Sequence, residues 1–187
     1  MVVRAPLSFR PEQIHQGVED NREWIAKQLK HMDQKEKEEK AFKESGLFIF
    51  RGREYPMVKI PGNQVYLQEG EIWIGEEGSL KDFYQKELEA KMLGLVPKWE
   101  KAGKPKALRY KLMKTRWGSC THLGEVCLNL YLAKAPFGVL EYVYVHELVH
   151  IKVHNHSKKY WAFVEALLPD YRVPRKWLRE NGSLLFL

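Results

Sequence analysis

Apolar residues recur at helical spacing near the start of the chain. Ile14 and Val18 are four apart, and Ile25, Leu29 and Met32 continue at spacings of four and three, with Trp24 beside them. This pattern predicts helix. Pro11 suits a first helical position, and Asp20 or Asn21 can cap a restart. From Asp33 to Glu44 the apolar face fades, and Gly46 then ends the helix. The period next shortens to that of strands. Leu47 to Phe50, Tyr55 to Ile60, Val65 to Leu67 and Ile72 to Ile74 are short runs, separated by Arg51-Gly52-Arg53, Pro61-Gly62-Asn63 and Glu69-Gly70. Such punctuation predicts an antiparallel meander. Ser79 caps a second long helix carrying Leu80, Phe83, Leu88, Met92 and Val96, which Pro97 kinks or ends. Lys101 to Pro105 is a polar linker. Ala107 to Met113, Arg116 to Gly118 and Val126 to Leu130 form a second β region, with Thr121 to Gly124 as its hairpin loop. Ala135-Pro136 opens the next helix. The expected organisation is a helix-and-meander segment, 1–78, and a second segment, 79–187, packed as one domain of the α+β class.

Composition narrows the class without naming a function. The chain has 187 residues, with 31 Lys and Arg against 24 Asp and Glu, a net charge of +7. Thirteen Gly and nine Pro are too few for a collagen-like or linker chain. Two cysteines, Cys120 and Cys127, cannot build a disulfide framework or a four-thiolate zinc site. No apolar run has the length of a membrane span and no signal-peptide pattern opens the chain, so the expectation is a cytoplasmic protein with no membrane partner. The positive excess favours acidic partners only weakly, because Lys35-Glu36-Lys37-Glu38-Glu39-Lys40 mixes signs like a solvated helix face. Arg172, Arg175, Lys176 and Arg179 also read first as a solvated face, and second as a lining for an acidic or nucleic-acid-bearing partner.

The chemistry concentrates in Val143-Tyr144-Val145-His146-Glu147-Leu148-Val149-His150, which contains H-E-x-x-H. On a helix, residues four apart share a face, so two imidazoles can reach one zinc ion. Glu147 then sits beside the metal but not on it, where it can take a proton from activated water. The surrounding Val143, Tyr144, Val145, Leu148, Val149 and Ile151 make the helix apolar on most sides and hence buried. A catalytic zinc site wants a third protein ligand and an open fourth position. His154 would lie about 12 Å along a regular helix from His146, too far for one ion. Asn155 can end the helix in a left-handed turn, after which His156 can return beneath the metal. Glu165, on the following helix, is the carboxylate alternative. His156 is the favoured candidate and Glu165 the main rival.

Several further segments carry a resemblance. Arg116-Trp117-Gly118-Ser119-Cys120, Leu128-Asn129-Leu130, Tyr142 to Ile151, Asn155 to Trp161, Pro169-Asp170-Tyr171 and Lys176-Trp177-Leu178 resemble the YgjP-like metallopeptidase family. The resemblance is strong over about residues 107–181 and weaker at Asn21 to Ile25 and Tyr55 to Ile60. Tyr160 stands where the family often has Phe, and the strands expected before the first helix are cut short. The family is related to the SprT-like and WLM groups. The resemblance implies a zincin-like fold, in which an antiparallel sheet packs against the H-E-x-x-H helix with helices flanking it. It implies His146, His150 and His156 as ligands of one zinc ion per chain, Glu147 as general base, and peptide or protein substrates.

The segment Arg116 to Ser119 is a plausible edge strand for pairing with an extended substrate, with Gly118 allowing close approach. The opposing reading makes Trp117 core and Gly118 a bulge. Arg116, Trp117, Gly118, Ser119 and Tyr160 are therefore the expected substrate contacts. Cys120 reads as a small buried residue. Tyr144, Tyr160, His154, Asn129 and Arg116 are all eligible to stabilise an oxyanion, and spacing does not rank them. A zinc-dependent peptidase or amide hydrolase is the leading expectation. The alternatives are a metalloprotein acting on DNA- or RNA-linked protein and a closed structural zinc site completed by His122, His154, Glu165 or Cys120.

Overall fold

The computed structural model describes residues 2–76 and 78–187. By internal contacts the chain divides into two compact units, Met1–Ser45 and Gly46–Leu187. The first holds α1 (Pro11–Asp20) and α2 (Arg22–Glu44), which break at Asn21 and bury no residue. The mixed-charge run lies within α2, and Gly46 follows its end with φ 70°. No helix among the described residues is long and apolar enough to cross a membrane.

The second unit is mixed α/β with two small sheets. Strands β1 (Leu47–Phe50), β2 (Arg53–Ile60), β3 (Val65–Gln68) and β4 (Glu71–Gly75) pair in the order β1-β2-β4-β3. The antiparallel meander expected here is only partly realised, because β2 and β4 pair in parallel. The reason lies at the end of β4. Gly75 has no side chain, so the 62–64 turn packs directly on its backbone, and the Gly75 N–H donates to the Gln64 carbonyl. The turn thus carries the chain past β4 to its far edge.

Helix α3 (Leu80–Trp99) starts at Ser79, whose Oγ accepts from the Asp82 N–H, and runs two residues beyond Pro97. The second sheet contains β5 (Ala107–Lys111), β6 (Gly118–Cys120) and β7 (Glu125–Asn129) in the order β5-β7-β6. Here too the pairing is mixed, parallel between β5 and β7 and antiparallel between β6 and β7. Asn129, fully buried, explains why β5 stops short of Met113 and β6 starts after Arg116. Its amide donates to the carbonyls of Met113 (2.8 Å) and Arg116 (2.9 Å), and its Oδ1 accepts from the N–H groups of Met113 and Tyr131. One side chain therefore satisfies backbone groups that a ladder would otherwise take. The crossing segment is pinned, and β6 is left on the outer edge.

A 3-10 turn, Leu130–Lys134, leads into α4 (Phe137–His150), followed by α5 (Lys158–Leu167) and α6 (Arg172–Leu185). Nine α4 residues are buried, as its apolar composition requires. The helix packs against β6, β7, α5 and α6.

Candidate metal centre

The last turn of α4 presents His146 and His150 on one face. The helix ends at His150, and the chain turns through residues 151–157 before α5 begins. That turn returns His156 to the same face. Its Nε2 lies 3.2 Å from His150 Nε2 and 3.1 Å from His146 Nε2. The three histidines offer ligand atoms that all lie within 4.8 Å of one another. Three imidazole nitrogens converging at this spacing can each turn a lone pair to one shared cation. The donor set therefore fits a metal ion.

The surrounding groups orient these rings. His150 Nδ1–H donates to the Val153 carbonyl at 3.0 Å, which leaves Nε2 as the free lone pair. The Tyr160 hydroxyl donates to the His146 carbonyl at 3.0 Å, and its ring stacks on His150 with centroids 4.6 Å apart. Trp161 stacks on His156 at 5.8 Å. Burial first, then His150, His156 and Arg175, hold His146 down at about 3, and burial also lowers His150. Both rings are thus in the neutral form that coordination requires.

The Glu147 side chain lies against Gly118 of β6. It is only 5% exposed, and a Cβ on Gly118 would sit 2.5 Å from its Oε1. Strand β6 can therefore pass over the carboxylate only because residue 118 is glycine. Burial pushes Glu147 up to about 8, against the opposing effect of Arg116. A cavity of about 550 Å³ joins these parts, lined by Arg116, Gly118, Ser119, Cys120, His122, His146, Glu147, His150, His154 and His156.

The profile of the YgjP-like metallopeptidase domain matches residues 1–181. The chain belongs to the YgjP-like metallopeptidase family. No curated protein and no solved structure matches it. For a YgjP-like chain, the family and the histidine cluster together point to a metal-dependent peptidase acting on peptide or protein.

The residues singled out from this YgjP-like sequence divide by position. Arg116, Gly118 and Ser119 line the cavity, whereas Trp117 and Tyr160 are not among its lining. Trp117 stacks instead on Phe186, with centroids 4.7 Å apart, and touches Gly182. Glu165 stands outside the cluster, paired with Arg172 at 3.4 Å. Cys120 is half-buried at the cavity wall, and burial, then Glu147, push its thiol up to about 11. Three of the five groups eligible for an oxyanion have other settings. Asn129 and Tyr160 are committed to backbone, and Tyr144 is fully buried away from the cavity lining. Arg116 and His154 remain on the wall. Two contributors to the histidine setting lie outside the motif. The Val153 carbonyl acts through backbone and leaves no signal in the sequence, and Arg175, which reads there as a solvated or partner-lining cation, comes near the histidines through the packing of α6.

Proposed function

We propose that this protein is a zinc metallopeptidase of zincin-like arrangement, with one ion per chain held by His146, His150 and His156. The observation that carries the reading is the convergence of three imidazole Nε2 atoms beside the buried Glu147, in a cavity open along an edge strand. Zinc in such a site polarises a carbonyl and makes water nucleophilic near neutral pH. Glu147, buried beside the three histidines, takes the proton from the attacking water and passes it to the leaving amine. Arg116 offers guanidinium donors from the same wall to the carbonyl oxygen. The free edge of β6 offers backbone groups to an extended substrate, which would lie along Gly118 and Ser119. A closed structural site is disfavoured, because among the described residues the cluster holds three ligand-type side chains.

The test combines metal content with hydrolysis. Mass spectrometry of purified protein should find about one zinc per chain, lost in His156→Ala and kept in Glu165→Ala and Glu147→Gln. Hydrolysis of a peptide library should vanish with chelation and fall by about a thousandfold or more in Glu147→Gln. Turnover that survives Glu147→Gln, or zinc that depends on Glu165 instead of His156, would overturn the assignment.

A further inference from the structure

Helix α6 places Arg172, Arg175, Lys176 and Arg179 on one face, at spacings of three, one and three. Together these four exposed side chains frame an open surface cleft whose lining residues are all cationic. Charge within the cleft is only partly matched. Arg172 meets Glu165 at 3.4 Å, and Lys176 and Arg179 share Glu180 at 3.9 and 3.8 Å. Among the described residues no carboxylate lies within ion-pair distance of Arg175. Its guanidinium sits over the Trp161 ring instead, 4.4 Å from the centroid. Trp161 in turn stacks on His156 at 5.8 Å and on Tyr171 at 5.4 Å. The cationic cleft is thus one aromatic ring away from the histidine cluster.

We propose that this cleft is a specificity subsite that receives Asp or Glu side chains of a polypeptide lying across the metal centre. The inference rests on the peptidase reading above and names the substrate class of that same site. The steps from His156 to Trp161 and from Trp161 to Arg175 put Arg175 at most roughly 10 Å from His156, within about three residues of extended chain. Seven helical steps, Arg172 to Arg179, rise about 10 Å, enough for acids at alternate positions of one strand. A planar guanidinium held on an indole face keeps its edge N–H groups free for a bidentate carboxylate and loses little freedom on binding. The size of the patch favours an acidic peptide over a nucleic acid. A duplex reader commonly makes about six to ten phosphate contacts, whereas this face offers four cations.

Binding is measured by fluorescence anisotropy on the full zinc-loaded chain carrying Glu147→Gln, with decaglutamate, decaglutamine and a ten-residue oligothymidylate as probes. Decaglutamate should bind about tenfold or more tightly than decaglutamine, with the gap shrinking as salt rises. Arg175→Gln and Arg179→Gln should each weaken decaglutamate about threefold and leave decaglutamine unchanged. With Glu147 restored, library cleavage sites should be enriched in Asp or Glu within about three residues of the scissile bond, and Arg175→Gln should abolish the enrichment. Circular dichroism melts of both arginine variants establish that they fold. Equal binding of the two peptides, indifference to both arginine variants, or tightest binding of oligothymidylate overturns the proposal. Library hydrolysis without acidic enrichment defeats the subsite and spares the peptidase reading. Selective binding of decaglutamate with no hydrolysis by the wild-type chain defeats the peptidase reading instead.

Discussion

Gly118 shows how one missing side chain shapes the site. Any Cβ there would meet Glu147 at Oε1 (2.5 Å) and Cγ (2.7 Å), and the neighbouring strand cannot yield easily because Ser119 and Cys120 are paired to β7. Gly118→Ala should therefore displace the carboxylate while leaving the three histidines in place. The expected result is full zinc content with hydrolysis reduced about a hundredfold, the scale of a misplacement near 1 Å. Unchanged hydrolysis would show that Glu147 has other room to move. The H-E-x-x-H residues and His156 are legible in the chain as chemistry. The need for glycine at 118 is not, because the clash involves a residue 29 positions away. Hydrogen bonding, not spacing, separates the eligible oxyanion groups, as the fully committed Asn129 amide illustrates.

Between elements, Tyr160 joins the start of α5 to the final turn of α4 through the His146 carbonyl. Tyr160→Phe keeps the ring that stacks on His150 and removes only the hydroxyl. It should cost about 0.5–1.5 kcal/mol in chemical denaturation and leave kcat within about threefold. A loss of about a hundredfold or more would instead mean that the hydroxyl acts on the substrate. Helices were the more readable elements. Ser79 marks the start of α3, the apolar run after Pro136 marks α4, and Gly46 follows the end of α2. Strand positions are legible in the sequence to within a few residues, but strand partners are not. Parallel pairing of β2 with β4 depends on Gly75, and that of β5 with β7 on the crossing that Asn129 pins, and neither is a local preference.

At the scale of the whole molecule, stability carries a term from Lys134. This residue is 2% exposed, and its ammonium faces the Phe48 ring, with Nζ 5.1 Å from the centroid. Burial lowers it from 10.5 to about 8. Below pH 8 the folded chain carries a charge that it desolvates. Between about pH 8 and 10.5 the unfolded chain binds the extra proton, so this contribution rises with pH. Lys134→Met should stabilise the fold at pH 7 by about 1–2 kcal/mol, after allowing for the lost cation–π contact. That gain should shrink in urea titrations at pH 10, and a pH-independent gain would refute the account. The outer edge of β6 has a different consequence for the molecule. An unpaired strand edge that can receive a substrate can equally receive the same strand of another copy, which invites aggregation. At three residues, Gly118–Cys120, β6 is too short to hold a second chain by main-chain pairing alone. The length of the strand thus keeps the edge open to transient guests while denying self-association a lasting template.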